Sequence, residues 1–168
     1  MFKQIILPLL AVIIFIVVIG IFVQKSSSFG LSVNKTASPS TPPEKTISVG
    51  LKKIQVQIAD TTSKRSKGLS GVTSLKADSG MLFIFDSKQV TPLFWMKDMK
   101  IALDIIWIGG GKIVRIDKNV PVPAPGTPDT GLKTYSAGAP IDYVLEVNTS
   151  FSDKNKLKVG DSVDLSGI

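Results

Sequence analysis

The alternation of apolar and polar residues divides this chain into three segments. Residues 5–23 are apolar almost without interruption, and a helix of that length would extend about 28 Å, close to the thickness of the hydrocarbon core of a bilayer. Residues 26–46 are rich in Ser, Thr and Pro and have no hydrophobic period, which is typical of a disordered linker. We therefore predict a transmembrane anchor over residues 1–25, a linker over 26–46 and a folded domain over 47–168.

The first segment is interpreted as an uncleaved anchor. A cleaved signal peptide has a shorter apolar core and small residues at its cleavage site, whereas Val23-Gln24-Lys25 offers no such site. Lysines flank both ends of the apolar run, so the positive-inside rule favours neither orientation. Because a very short tail ahead of a first apolar segment usually stays inside, we expect a single-pass cell-membrane protein whose domain is exported to the extracytoplasmic side.

The pattern of the folded domain is mainly that of short β-strands. Leu51–Ile58 alternates apolar and polar residues, as a half-buried strand does, and Met81–Phe85 is apolar on both faces. Further strands are predicted over Phe94–Met99, Ile101–Ile108, Ile113–Ile116, Ile141–Asn148 and Ser162–Leu165.

Helical signals are few. A short helix is predicted over Ser63–Lys67, capped by Asp60 or Thr61 and ended by Gly68. Residues 120–132 contain four prolines and two glycines, which predicts a long surface loop. The predicted fold class is therefore mainly β, a compact β-sandwich or squashed barrel with one or two short helices, preceded by the single transmembrane helix.

Composition removes several classes of site. The chain has neither cysteine nor histidine, which excludes disulfides, thiolate or imidazole metal sites, a thiol nucleophile and a Ser-His-Asp triad. The net charge of +7 favours contact with anionic lipid headgroups or acidic cell-wall polymers. No basic run is interleaved with aromatic residues, so nucleic acid is not an expected partner. No cofactor and no metal are predicted, because the acidic residues are too scattered for a calcium loop.

The candidate chemistry is concentrated in the segment Phe94–Met99. Read as a strand, this segment places alternate residues on opposite faces, with Phe94, Met96 and Asp98 on one and Trp95, Lys97 and Met99 on the other. Its aromatic and methionine side chains either pack in the core or at its rim, or form an apolar platform for a sugar or acyl group. Lys97 is either solvated or part of that site.

Two acidic residues interrupt apolar rows. Asp104 shares a strand face with Ile106 and Ile108, and Glu146 shares one with Val144. A carboxylate in such a row must be paired or hydrogen-bonded. Each acid is interpreted either as structural, capping turn N–H groups or pairing with a cation, or as a residue that orients a ligand or takes part in catalysis.

For Asp104 we predict a carboxylate that lies near the Phe94–Met99 segment, close to Arg65 or Lys97. Arg65 can reach from the short helix and fork onto a carboxylate, although a plain surface position for it is the alternative. The candidate ligand-binding residues are Arg65, Trp95, Met96, Lys97, Asp98, Asp104 and Glu146.

Several motifs follow one another in a fixed order: Arg65-x-x-Gly68-Leu69, Gly80-Met-Leu-Phe-x-Phe85, Phe94-Trp-Met-Lys-Asp-Met99, Leu103-Asp104, Tyr135, Val144-Leu-Glu146 and Gly160-Asp161. This series resembles the domain of unknown function 192 family over about Ile54 to Val163. The resemblance implies a β-sandwich-like fold behind a signal or anchor, and it implies no particular activity. The chain departs from the family where Ser70-Gly71-Val72 replaces a Met and a nearby Arg, and where Ala102 replaces a common proline.

Three functions remain open. The first is an extracytoplasmic module that binds a small molecule or a cell-envelope ligand, favoured by a Trp, Met, Asp and Lys cluster without a catalytic pair. The second is an accessory or interaction domain of an envelope complex, which would present an exposed apolar patch. The third is a hydrolase that uses Asp98, Asp104 or Glu146, and a glycosidase would need two carboxyl groups about 5 Å or about 6.5–9.5 Å apart across a cleft.

Overall fold

The computed structural model describes residues 44–168. The predicted anchor over residues 1–25, its orientation and the linker up to residue 43 lie outside the described residues. Within residues 44–168, no helix combines the length and the apolar character needed to cross a bilayer. The first described strand begins at Lys45, so regular structure starts two residues before the predicted domain boundary at Ile47.

Strands dominate the described part of the chain. They are β1 (Lys45–Val49), β2 (Lys52–Ala59), β3 (Ser79–Ile84), β4 (Phe94–Trp95), β5 (Leu103–Gly109), β6 (Lys112–Val120), β7 (Thr134–Tyr135), β8 (Tyr143–Asn148) and β9 (Val163–Asp164). The helices are α1 (Thr62–Lys67) and α2 (Phe151–Lys154), with a 3-10 turn over Asp129–Gly131.

The strands form a nearly closed barrel. One sheet has the order β6-β5-β8-β3-β2-β1-β9, and its neighbours are antiparallel except for the parallel pair β2 and β3, which α1 connects. A bridge between Lys112 of β6 and Ser162, just before β9, joins the two edges. The prediction of a mainly β fold with short helices is confirmed, and of the two architectures it is the barrel that forms.

Both faces of the central strands are buried. Side chains such as Ile106 and Leu145 pack inside the barrel together with Phe151 of α2. The alternate side chains, such as Trp107 and Val144, form a second core on the outer face, beneath the β4–β7 ribbon. A strand buried on both faces needs apolar residues at nearly every position, which explains why β3 and β5 have no simple alternation.

The predicted helix is confirmed at α1. The hydroxyl oxygen of Thr61 accepts a hydrogen bond from the Lys64 N–H at 3.2 Å and caps the first turn. Gly68 ends the helix at a φ of +49°, a left-handed conformation that glycine adopts without strain. Strand β1 and helix α2 were not predicted from the sequence.

The strand predicted over Phe94–Met99 is wrong beyond Trp95. The N–H of Met99 donates to the carbonyl oxygen of Met96 at 3.3 Å, and Asp98 has a φ of +56°, so the chain turns here. A turn does not alternate its side chains between two faces. Met96 and Met99 are therefore both buried, although the strand pattern places them on opposite faces.

Asp104 is a structural clamp at one end of the barrel. The side chain is fully buried, and its carboxylate accepts hydrogen bonds from the backbone N–H groups of Asn119 (2.9 Å), Ser150 (3.2 Å) and Ser152 (2.8 Å). These donors hold the end of β6 and the start of α2 against β5. Asn119 and Ser150 have φ values of +52° and +63°, a left-handed conformation that Asn adopts more readily than most residues and that costs about 1–2 kcal/mol at Ser150.

The predicted pairing of Asp104 with Arg65 or Lys97 is wrong. Three backbone N–H groups stabilise the carboxylate, so burial does not require a cation beside it. The two cations bind other partners, Arg65 the carboxylate of Asp86 and Lys97 that of Asp129. Of the two interpretations left open by the sequence, the capping of turn N–H groups is the one that the hydrogen bonds support.

Asp104→Asn should lower the free energy of unfolding by about 2–4 kcal/mol. The amide keeps one acceptor oxygen, and its NH₂ group would face a backbone donor that is then left without a partner. Urea unfolding followed by the fluorescence of the buried Trp107 measures the change. Asp153→Asn is the matched control, because it removes only an exposed ion pair with Lys118 and should change stability by less than about 1 kcal/mol. Equal effects of the two substitutions would contradict the clamp.

Candidate functional site

A cleft of about 300 Å³ opens on the outer face of the barrel, between α1 and the segment that carries β4. Phe83 of β3 and Glu146 of β8 line it, as do Leu69 and Met99 from the turns on either side. We call it the Glu146 cleft. Its volume lies at the lower end of the range for small-molecule sites.

Glu146 is the unusual group in this cleft. It is 5 % exposed, and its Oε2 has no hydrogen-bond partner among the described residues. Its neighbours across the sheet are Met81 and Ile105, so apolar surface surrounds it, and burial raises the pKa of its carboxyl to about 8. The carboxyl is therefore protonated at neutral pH, and it can donate one hydrogen bond and accept others.

Aromatic rings form one wall of the cleft. Phe94 packs edge to face against Phe83 and Trp107, with ring centroids 4.8 and 5.5 Å away. Trp95 is the next residue of β4 and is 55 % exposed, and Leu93 beside it is 66 % exposed. The cleft thus has a packed aromatic wall and an exposed apolar lip.

Arg65 braces the opposite wall. Its Nη1 donates to the carbonyl oxygens of Asp60 (2.9 Å) and Ile84 (2.8 Å), and its Nη2 donates to the Asp86 carboxylate (2.9 Å). The centre of the guanidinium lies 5.9 Å from the centroid of the Phe85 ring, a cation–π distance. These bonds fix α1 against the end of β3 and so set the width of the cleft.

The structure brings together part of the predicted site. Arg65, Trp95 and Glu146 line the Glu146 cleft. Met96 is buried and lines a separate depression with Tyr135.

The other three predicted residues lie apart from this cleft. Lys97 forms an ion pair with Asp129, and this hydrogen bond raises the pKa of Lys97. Asp98 is exposed in the turn after β4, and Asp104 is on the inward face of the barrel. For Lys97 and Asp98 the reason is the turn at residues 96–99, which breaks the strand alternation predicted from the sequence.

Several residues of the cleft were not singled out from the sequence. Leu69, Phe85 and Leu93 line it, and Phe83 was assigned only to a buried strand. One signal was available, since Leu93-Phe94-Trp95 follows Pro92 as a run of three large apolar residues beside a turn. Such a run cannot be buried entirely by a two-residue strand.

The acids do not form a catalytic pair in this arrangement. Asp104 and Glu146 lie on opposite faces of the sheet, and Asp98 is outside the Glu146 cleft. Neither Asp98 nor Asp104 therefore provides a second carboxyl group beside Glu146 in the cleft. Within residues 44–168, no three His, Cys, Asp or Glu side chains are grouped to hold a metal ion.

Glu146→Gln should remove a pH dependence of stability. The unfolded chain ionises this carboxyl above about pH 4.5, whereas the folded protein keeps the proton up to about pH 8. The contribution of Glu146 to the free energy of unfolding should therefore fall by about 3–5 kcal/mol between these pH values and stay constant above them. Urea unfolding at half-unit steps of pH measures this contribution as the difference in the free energy of unfolding between wild type and Glu146→Gln.

Asp78→Asn provides the control for that comparison. Its carboxylate is exposed and pairs with Lys52, so the variant should keep the wild-type slope from pH 5 to 9. If the free energy of unfolding of wild type and of Glu146→Gln depended on pH in the same way over this range, the inference that Glu146 is buried as a neutral carboxyl would be wrong.

Comparisons with known proteins agree with this fold. The model of the DUF192 family, described as "Uncharacterized ACR", matches residues 44–165. One similar solved structure is that of a proposed transcription regulator from Sinorhizobium meliloti 1021, with 23 % identity, a TM-score of 0.66, and coverage of 76 % of this chain and 98 % of that one. Another is a protein of unknown function from Novosphingobium aromaticivorans DSM 12444, with 25 % identity, a TM-score of 0.66, and coverage of 76 % and 89 %.

No curated protein is detectably similar to the chain. The family match extends over nearly all of the described residues and includes β1, the strand that the motifs did not reach. The resemblance drawn from the order of the motifs is thereby confirmed. The chain belongs to the DUF192 family, the domain of unknown function 192.

Proposed function

We propose that this chain is a membrane-tethered, exported module that binds a small molecule or a cell-envelope ligand in the Glu146 cleft. The observation that carries the proposal is the carboxyl of Glu146, which is buried at an open cleft and has no hydrogen-bond partner for Oε2 among the described residues. A buried polar group without a partner lowers stability by about 1–3 kcal/mol. A ligand that supplies the missing hydrogen bond recovers that energy on binding.

The walls of the cleft support the same proposal. Phe94 and Phe83 form a packed aromatic surface, and the ring of Trp95 is exposed at the lip. Aromatic surface of this kind binds the apolar face of a sugar or an acyl group. The bracing of Arg65 keeps the cleft formed without a ligand, which reduces the conformational cost of binding.

Tryptophan fluorescence tests this proposal directly. The chain has two tryptophans, and Trp95 is exposed at the cleft whereas Trp107 is buried. Titration of the full chain with fractionated, soluble envelope extract should change the emission of wild type, and Trp95→Phe should abolish the change. Glu146→Leu, which removes the donor and the acceptors of the carboxyl, should weaken binding about tenfold, the equivalent of one hydrogen bond.

Asp78→Asn again serves as the control, since Asp78 lies outside the Glu146 cleft. The affinity of this variant for the ligand should equal that of wild type. A fluorescence change that persists in Trp95→Phe and is unaffected by Glu146→Leu would place the ligand elsewhere and overturn the proposal.

The tether and its orientation form the second part of the proposal, supported by the apolar run over residues 5–23 and the polar segment 26–46. Protease added to intact cells, with any outer barrier made permeable, should cut within residues 26–43 and release a domain that starts close to Lys45. A periplasmic or surface protein of known location is the positive control. Complete protection of the chain while that control is digested would show that the domain lies on the opposite side of the membrane from the one proposed.

A protein contact is the second candidate function. Leu93 and Trp95 form an adjacent exposed pair at the lip, and an exposed apolar patch marks many interaction sites. Leu93→Ser and Glu146→Leu together separate the two functions, because the first removes half of the patch and the second changes only the buried acid of the cleft. Association with an envelope complex that is lost in Leu93→Ser and kept in Glu146→Leu would favour the interaction domain.

A further inference from the structure

The ionisable groups of the Glu146 cleft differ in whether they carry a charge at neutral pH. Arg65, Lys67 and Glu146 are the charged residue types among its described lining residues. Lys67 is exposed and forms no ion pair among the described residues. Glu146 is neutral because burial raises its pKa to about 8. The lining side chains therefore carry two positive charges at neutral pH and no negative charge, while Asp86, outside the lining, pairs with Arg65.

The groups that face Glu146 from the surrounding strands do not change this balance. Its neighbours on β3 and β5 are Met81, Phe83 and Ile105, all apolar. On β6, Asp117 is already engaged, since it accepts hydrogen bonds from the Trp107 indole (2.7 Å) and from Arg115 (2.6 Å). Burial alone accounts for the raised pKa of Glu146, which agrees with the absence of a nearby charge among the described residues.

We propose that the ligand of the Glu146 cleft is a small organic anion, with an aromatic or other apolar body against Phe94 and Trp95 and a carboxylate or phosphate group at Arg65 and Lys67. This inference rests on the proposed function and narrows it to one class of ligand. Glu146 takes part as a neutral acid and donates a hydrogen bond to an acceptor of the ligand.

The carboxylate that now pairs with Arg65 is replaceable. The Asp86 side chain is 83 % exposed, so its ion pair with Arg65 contributes little to stability. The bonds from Arg65 Nη1 to the carbonyl oxygens of Asp60 and Ile84 do not involve Asp86, which is bound to Nη2. An anion that enters the cleft can therefore bind the guanidinium without loosening α1.

Cationic ligands fit the same cleft poorly. The ring of Phe85 already has the Arg65 guanidinium beside it, and a second cation would be repelled by Arg65 and Lys67. Glu146, neutral in its apolar surroundings, also offers such a ligand no counter-charge. A neutral ligand meets neither obstacle, but it makes no use of the two cations.

Four probes of nearly equal shape test the charge of the ligand: benzoate, phenyl phosphate, benzyl alcohol and benzylamine. The full chain in lipid nanodiscs is titrated with each at pH 6.5, and saturation-transfer NMR gives the Kd. We expect one or both anions to bind at least tenfold more tightly than benzyl alcohol, and benzylamine to bind most weakly. The order of benzoate and phenyl phosphate distinguishes a carboxylate from a phosphate ligand.

Variants locate the binding. Lys67→Gln should weaken the binding of the preferred anion about tenfold, whereas Lys53→Gln, an exposed lysine on β2 outside the cleft, should leave it unchanged. Benzoate keeps a constant charge from pH 6 to 9, so its Kd should rise as the pH passes through about 8 in wild type and remain level in Glu146→Gln.

The outcomes separate this inference from the proposed function. Tighter binding of benzyl alcohol or benzylamine, lost in Glu146→Leu, would overturn the inference that the ligand is an anion and would leave ligand binding at the cleft intact. Anion binding that is equally sensitive to Lys53→Gln and Lys67→Gln would be general attraction to a basic surface and would overturn the inference. Failure of all four probes to bind at millimolar concentration would overturn it as well, while the titration with envelope extract would still decide the proposed function.

Discussion

The burial of the central strands on both faces is the constraint on which the rest of the structure depends. With one core inside the barrel and another beneath the β4–β7 ribbon, no side chain of the middle of β5 or β8 reaches bulk solvent. A polar group on these strands must then find partners within the protein or remain without them. Asp104 and Glu146 are the two acids placed in that position, and they resolve it in opposite ways.

Asp104 is saturated by backbone donors on the inward face, and Glu146 is left without a partner for Oε2 on the outward face. The first arrangement stabilises the barrel end, where it holds two residues in left-handed conformations. The second lowers stability and lies beside an open cleft. That position is the basis of the ligand binding proposed above.

The cleft itself follows from how α1 and β4 are attached. The crossover through α1, which joins the parallel strands β2 and β3, sets one wall, and the hydrogen bonds of Arg65 to backbone carbonyls hold that wall in place. The other wall comes from β4, whose Phe94 packs on Phe83 and Trp107 while Trp95 remains exposed. Both walls of the cleft and its buried acid lie within residues 44–165, the part of the chain that matches the DUF192 family.

The sequence by itself determined the mainly β class, helix α1 with its Thr61 cap and Gly68 end, and the fact that Asp104 and Glu146 interrupt apolar rows, because these features depend on local periodicity and backbone preference. Only the tertiary structure decided what those acids contact. Strand pairing placed them on opposite sides of one sheet, and a turn at residues 96–99 moved Lys97 and Asp98 away from the cleft. Partners of a buried group come from distant parts of the chain, so no local pattern specifies them.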